Sequence, residues 1–235
     1  MKFRVNERFK SSGVVLTAIG DSYCQWSESN GKNAVNYFNH VVHLNKEVVF
    51  LGNTNTELVL ELGEYVYQFQ VSLPSNLPPN FHYHQARTKY YCHALIKCPG
   101  TSNFNALKCF NVIDDVNFNA DTRITKPCEN VESRTLCCAC CKSDPITVRL
   151  RLNKRSFVPG ETIECELEIG NESSRNIKLE YVAIVQVIKV ISANGVMRER
   201  LLDLFRVQLD REIKSNKRAQ NFSQPIKLQV PPTSP

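Results

Sequence analysis

The sequence predicts an all-β protein made of two antiparallel β-sandwich domains. Three observations point there. Alternating apolar and polar residues run through most of the chain, the turns between these runs are too short for crossover helices, and composition changes near residue 144 of 235. Domains commonly run to about 100–150 residues, so the length alone admits one large domain or two modest ones, and the seam favours two. Hydrophobic residues make up 42% and charged residues 22%, enough to bury a core and too apolar for a disordered chain.

The first half contains alternating stretches over Val14 to Trp26 and Ala34 to Leu51. Leu58 to Leu73 is the clearest, with Tyr65, Tyr67, Phe69 and Val71 on one face and Gln68, Gln70 and Ser72 on the other. Pro74 and the pair Pro78-Pro79 stop it. Thr88 to Cys98 and Leu107 to Val116 complete this half. In the second half, Ile146, Val148, Leu150 and Leu152 share a face. Phe157-Val158-Pro159-Gly160-Glu161 is turn chemistry, because Pro fixes φ and the following Gly accepts a positive one. Ile163, Cys165, Leu167 and Ile169 then point inward, with Glu164, Glu166 and Glu168 outward. After the polar turn Asn171 to Asn176, Ile177, Leu179, Tyr181, Ala183, Val185 and Val187 are expected on one face of a long strand. Asn194-Gly195 signals a hairpin. Met197 to Leu209 reads two ways: apolar residues at 197, 201, 204, 205 and 209 suit an amphipathic helix, and the hairpin signal favours a strand pairing back onto 177–193.

The seam has numbers. Residues 1–144 carry 14 Lys/Arg and 13 Asp/Glu, a net of +1; residues 145–235 carry 15 and 10, a net of +5. Five of the ten cysteines fall within 128–141. Ten cysteines are about 4% of the chain, short of the roughly 8–10% of a disulfide scaffold. A net charge of +6 and a pI near 8.8 give no dense basic stripe, so no nucleic-acid partner is expected. The N-terminus lacks the apolar core of a signal peptide. The longest mostly apolar run, Tyr181 to Ile191, is far below a bilayer span and is interrupted by Gln186 and Lys189. The expected compartment is the cytosol, with reduced cysteines, and the sequons at Asn171 and Asn221 are read as chance matches.

Catalysis finds no footing. No Ser, Cys or Thr sits in a recognisable elbow, Asp114-Asp115 lacks a paired partner, and nine glycines form no phosphate cradle. In Cys137-Cys138-Ala139-Cys140-Cys141, the pairs Cys137/Cys140 and Cys138/Cys141 have the C-x-x-C spacing of a zinc site. Closing such a site needs two further ligands, for which Cys128 and remote Cys165 are the candidates. A single strand points 137 and 141 to one face and 138 to the other. Structural linker or strand cysteines are therefore the plainer assignment, with S-acylation and metal or redox chemistry as alternatives, and no cofactor is expected. His82-Tyr83-His84 places two imidazoles on one face of an extended segment, with His93 downstream; a solvated loop after Pro79 is expected there.

The run from Gly63 to Phe81, GEYVYQFQVSLPSNLPPNF, resembles the arrestin N-domain pattern G-x-Y-x-F-x-F-x-L-P-x-x-L-P-x-S-F. Leu136 to Ile146, followed by Phe157-Val158-Pro159-Gly160-Glu161 and Asn171-Glu172-Ser173-Ser174, is similar to the opening of the C-terminal arrestin domain in the α-arrestins, or arrestin domain-containing proteins. Trp26-Ser27-Glu28 fits the family's W-x-E element, and the matches span 13–190 in order. Departures accompany them. The family's opening strand-turn-strand unit, which lies ahead of the region matched by Gly13, is expected to be missing from this chain, and the Gly of its G-x-I-R-Y element is replaced around Ala86-Arg87-Thr88-Lys89-Tyr90. The second domain stops at Val230 to Pro235, and no P-P-x-Y motif occurs, so ligase recruitment through that motif is not expected of this chain.

The resemblance implies arrestin-type, immunoglobulin-like sandwiches truncated at both ends: 1–120 as an N-domain lacking opening strands, 121–144 as a cysteine-bearing connector, and 145–235 as an incomplete C-domain. It implies a non-enzymatic cytoplasmic adaptor with peripheral association at the plasma membrane or endosomes. Such an adaptor binds cytoplasmic tails of receptors or transporters and, with endocytic or ubiquitin-ligase machinery, directs endocytosis, sorting or ubiquitination. Arrestins use cations to hold phosphorylated or acidic tails. The candidates here are Arg87, Lys89 and Lys97 in the N-domain, and Arg149 and Arg151 on the polar face of the first C-domain strand. A solvated strand face is the competing assignment for all five. A metal- or redox-responsive protein built on Cys137–Cys141 and a non-functional truncated product are the other classes left open.

Overall fold

A computed structural model describes residues 1–31, 33–52, 57–113, 124–138, 141–215 and 222–232, with the side chains of 30, 136–138 and 141–143 outside that description. All secondary structure among these residues is strand, and the pairings whose register is resolved are antiparallel. Two units separate: one holds the described residues up to 113 together with Lys189–Arg198, and the other holds the described residues of 124–188 and 199–232.

The first unit contains β1 (Lys2–Val5), β2 (Phe9–Ser11), β3 (Gly13–Asn30), β4 (Asn33–Leu51), β5 (Leu58–Leu60), β6 (Gly63–Val66), β7 (Phe81–Tyr83), β8 (Ala86–Lys97) and β9 (Phe104–Phe110). Its main sheet runs β4-β3-β8-β7, with β9 also on β8. The pairs β1–β6 and β2–β5 form two small sheets, whose Val5 and Leu60 pack with Val14 and Ile96 of the main sheet and with Cys98 just past β8. Phe3 stacks on Tyr65 at 5.1 Å, and Phe50 on Tyr67 at 4.8 Å. A second cluster forms around Ala18, Leu44 and fully buried Tyr90.

The second unit contains β10 (Cys128–Cys138), β11 (Cys141–Leu152), β12 (Thr162–Asn171), most of β13 (Ile177–Ile191) and β14 (Met197–Ile213), whose facing ends at 189–191 and 197–198 fall in the first, and β15 (Phe222–Gln229). The sheet β10-β11-β12-β15 faces the β13–β14 pair. Cys165, Leu167, Ile169, Ile226 and Leu228 from the first meet Leu179, Val182, Ile184, Phe205 and Val207 from the second. The chain is thus two β-sandwich domains in sequence. The predicted turns carry the predicted backbone: φ is +90° at Gly160 and +83° at Gly195.

Several expectations are corrected. Two strands do precede Gly13: β1 and β2 are four and three residues long and pair with β6 and β5, some fifty to sixty residues away, so no local signal marks them. The run from Leu58 to Leu73 is two short strands, with ladder bonding ending where Tyr67 N donates to the Met1 carbonyl. Its face holds for Tyr65, Tyr67 and Val71, while Phe69 is 41% exposed. Residues expected as a connector form β10 and the start of β11; β10 is an edge strand whose described side chains are exposed apart from half-buried Cys128, so they give no alternation in sequence. Along β13 the inward set shifts phase after Leu179, to Val182, Ile184, Ile188 and Val190, leaving Tyr181, Val185 and Val187 outward. The strand is apolar on both faces there, so alternation could not choose between them. Residues Met197–Ile213 form a strand. His82 and Tyr83 belong to β7, where a loop was expected.

Candidate functional site

Strand β8 alternates cleanly from its start. Ala86, Thr88 and Tyr90 are buried, and Arg87 and Lys89 take the other face. The buried side fixes the register. The Tyr90 hydroxyl donates to the Pro78 carbonyl at 2.6 Å, and Thr88 Oγ1 lies 2.7 Å from Ser22 Oγ, itself 2.7 Å from His43 Nε2. A one-residue slip would bury Arg87 and expose Tyr90, so packing holds the basic side chains outward.

On that outer face the ladder aligns His40, Tyr23, Arg87 and His82 in one row across four strands. The Arg87 guanidinium lies over the Tyr23 ring, 5.3 Å from its centre, and the His40 ring meets the same tyrosine edge-on at 6.3 Å. Lys89 Nζ lies 4.9 Å from the centre of the Tyr91 ring. Lys89 is opposite Asp21, a buried residue whose Oδ2 is 3.1 Å from His40 Nε2. Among the described residues, no carboxylate pairs with Arg87 or Lys89. Beside Arg87 is a cavity of about 240 Å³ walled by Tyr23, His82, Tyr83, His84 and Gln85. Tyr23 is held there by its hydroxyl, which donates to Gln25 Oε1 at 2.5 Å, while Gln25 N donates to the Gln85 carbonyl at 2.9 Å. A cation resting on an aromatic face with no carboxylate partner keeps its charge available to an incoming anion.

The other candidate cations are placed differently. Lys97 lies ten residues beyond Arg87 on β8, roughly 30 Å away at about 3.3 Å per residue. Arg149 and Arg151 on β11 are engaged by carboxylates: Arg149 Nε is 3.2 Å from Glu129, Arg151 Nε is 2.8 Å from Glu129, and both reach Glu168 at 3.5 Å. Hydrogen bonding from Arg151 holds the Glu129 carboxyl below its ordinary range and raises Arg151 in return. An anion would have to displace these partners. In the sequence the five cations stand on equal terms; the register and the ion pairs separate them. Tyr23 and Gln85 do not stand out there as site residues, because their relation to Arg87 exists only once β3, β7 and β8 are paired.

Cys140 lies outside the described residues, as do the side chains of Cys137, Cys138 and Cys141; the β10–β11 backbone pairs Cys138 with Cys141 and Cys137 with Lys142. Burial pushes the thiols of Cys24, Cys92 and Cys165 up, away from the reactive thiolate. Asn171 is buried, its amide donating to the carbonyls of Arg175 at 2.8 Å and Ile213 at 3.2 Å, so its sequon is closed in the folded chain.

Residues 1–119 match the family model described as "Arrestin (or S-antigen), N-terminal domain", and residues 142–235 match "Arrestin (or S-antigen), C-terminal domain". The chain belongs to the arrestin family. It is 26% identical over 176 residues to Arrestin domain-containing protein 17 of Caenorhabditis elegans, covering 71% of this chain and 41% of that protein. It is 24% identical over 177 residues to Arrestin domain-containing protein 5 of Homo sapiens, covering 73% and 51%, and 24% identical to human Arrestin domain-containing protein 4 over 173 residues, covering 72% and 41%. This arrestin-family chain therefore spans about half or less of the curated relatives it matches. Arrestin proteins are generally non-enzymatic adaptors that bind other proteins.

Proposed function

We propose that this chain is the cargo-binding part of a non-enzymatic adaptor, which grips acidic or phosphorylated cytoplasmic tails of receptors or transporters. It thereby directs their endocytosis, sorting or ubiquitination at the plasma membrane and endosomes. The observation that carries this reading is Arg87: exposed, laid on Tyr23, without a carboxylate partner, and at the mouth of a cavity of about 240 Å³. A guanidinium so placed presents paired N–H donors to a phosphate or carboxylate, and a hydrogen bond to a charged group is worth about 1.5–3 kcal/mol. Lys89 extends the positive surface along the same strand. Arrestin-family membership supports the adaptor role, and rigid sheets with open edge strands suit the capture of extended tails.

Paired phosphorylated and unphosphorylated tail peptides, immobilised and presented to the purified chain, test this. Capture is expected to favour the phosphorylated member by about tenfold, and Arg87→Gln is expected to abolish the preference. Equal, negligible capture of both peptides would overturn the reading.

A further inference from the structure

The cavity beside Arg87 holds two imidazoles that the adaptor reading does not use. His82 is directly opposite Arg87 in the β7–β8 ladder, and His84 begins the two-residue turn joining those strands; both are exposed and both line the cavity. Tyr23 forms another wall beneath the guanidinium. Gln25, Tyr83, Gln85 and Ala86 make up the rest of the lining. No carboxylate lines this cavity.

The remaining histidines of this sheet are committed elsewhere. His40 sits across Tyr23 from Arg87 and pairs with Asp21, and His43 is hydrogen-bonded to Ser22. His93 is further along β8, opposite Thr17. The charged and titratable groups around the cavity are thus Arg87, Lys89, His82, His84, Tyr23, Tyr83 and the Asp21–His40 pair. The one acid among them is buried, with its Oδ2 paired to His40 and its Oδ1 without a hydrogen-bond partner.

The geometry points to a proton-dependent phosphate site, in which Arg87 holds a tetrahedral dianion and protonated His82 and His84 supply two further charged donors. This rests on the cargo reading above and adds pH as the regulator of that site. A neutral imidazole has one donor and one acceptor, and the acceptor lone pair repels an anion's oxygen; an imidazolium has two donors and a charge. With both imidazoles neutral, Arg87 is the single cation lining the cavity. Protonation of the two rings adds two more cations lining the same cavity. Linkage then requires that a bound dianion raise the proton affinity of both rings by the factor by which protonation tightens binding. The ligand class is a phosphate monoester on a peptide, which itself loses its second proton near pH 6, so the site is strongest where dianion and imidazolium coexist.

Sulfate separates the two titrations, because it stays a dianion throughout this range. Its binding to the full chain, measured by calorimetry at constant ionic strength, is expected to be at least about tenfold tighter at pH 5.5 than at pH 7.5. The His82→Gln/His84→Gln double variant is expected to bind equally at both pH values, and Arg87→Gln to lose binding at both. His40→Gln is expected to keep the pH dependence. Histidine ring shifts followed by NMR give a second reading: saturating sulfate should move the titrations of His82 and His84 upward and leave that of His43 in place. A flat sulfate profile, pH dependence surviving in the double variant, or sulfate binding surviving in Arg87→Gln each overturns the proposal. Flat sulfate binding alongside selective capture of phosphorylated tails removes the histidine role and leaves the adaptor reading standing. Acid-strengthened sulfate binding with no tail capture does the reverse.

Discussion

Gly20→Ala should damage the first domain out of proportion to a single methyl. Gly20 lies mid-strand on β3, between Tyr90 of β8 and Leu44 of β4. A Cβ there would come 2.3 Å from Cδ1 and Cε1 of Tyr90 and 3.1 Å from the Leu44 Cβ. Carbon atoms rest about 3.5–4.0 Å apart, so the ring must retreat by more than an ångström. It has nowhere to go: Tyr90 is fully buried, packed near Phe110, and tied by its hydroxyl to the Pro78 carbonyl. Overpacking costs about 1–3 kcal/mol, and breaking the Tyr90 hydrogen bond adds about 1, so the expected loss is about 3 kcal/mol. At about 2–8 °C per kcal/mol across the relevant domain sizes, the unfolding midpoint should fall by about 10 °C. Urea unfolding followed by fluorescence is the assay, since Trp26 is the sole tryptophan, is 2% exposed, and lies on β3 itself. In a Tyr90→Leu background the same substitution should cost below about 1 kcal/mol, because the ring it strikes has gone. A Gly20→Ala chain within about 0.5 kcal/mol of wild type, or an equal penalty in both backgrounds, would refute the steric argument.

Three further outcomes follow from the same structure. Asn171→Ala should cost the second domain about 2 kcal/mol in urea unfolding, because it removes the amide donor to the Arg175 and Ile213 carbonyls and the acceptor of buried Ser173, whose Oγ donates to Asn171 Oδ1 at 2.6 Å. Acidification should lower the second domain's unfolding midpoint. The carboxyls of Glu129, Glu161 and Glu164 are held below 4.5 chiefly by hydrogen bonds from Arg151, Lys154 and Lys227, so their contribution is present above the ordinary carboxylate value and lost as pH falls through the lowered one. A scanning calorimetry series from pH 6 to pH 3 checks this, and high salt should flatten it. Brief iodoacetamide treatment of the native chain, read by peptide mass spectrometry, should label exposed Cys109 well ahead of buried Cys24 and Cys165.

How much of this could be read from residues alone depended on where each signal resides. Strand β12 is locally determined: Ile163, Cys165, Leu167 and Ile169 face one core, the glutamates between them face out, and alternation was sufficient. The turns at Gly160 and Gly195 are equally local, because a positive φ is a property of one residue. Strands β1 and β2 carry only three or four residues each, and nothing within them says that they pair with partners near residues 58–66. In β13 both faces are apolar, so which one meets the core is decided by the opposing sheet. The site belongs to this second kind. Arg87 has the same sequence signature as Arg151, one exposed cation on an alternating strand. What separates them is the neighbour across the ladder, Tyr23 and His82 for Arg87 and Glu129 and Glu166 for Arg151. Cross-strand partners set whether a cation is spent on a carboxylate or kept for a ligand. The same logic makes His82 the informative position. Read along the chain it is one of two histidines after a proline-rich segment, and read across the sheet it is the residue facing the uncompensated guanidinium.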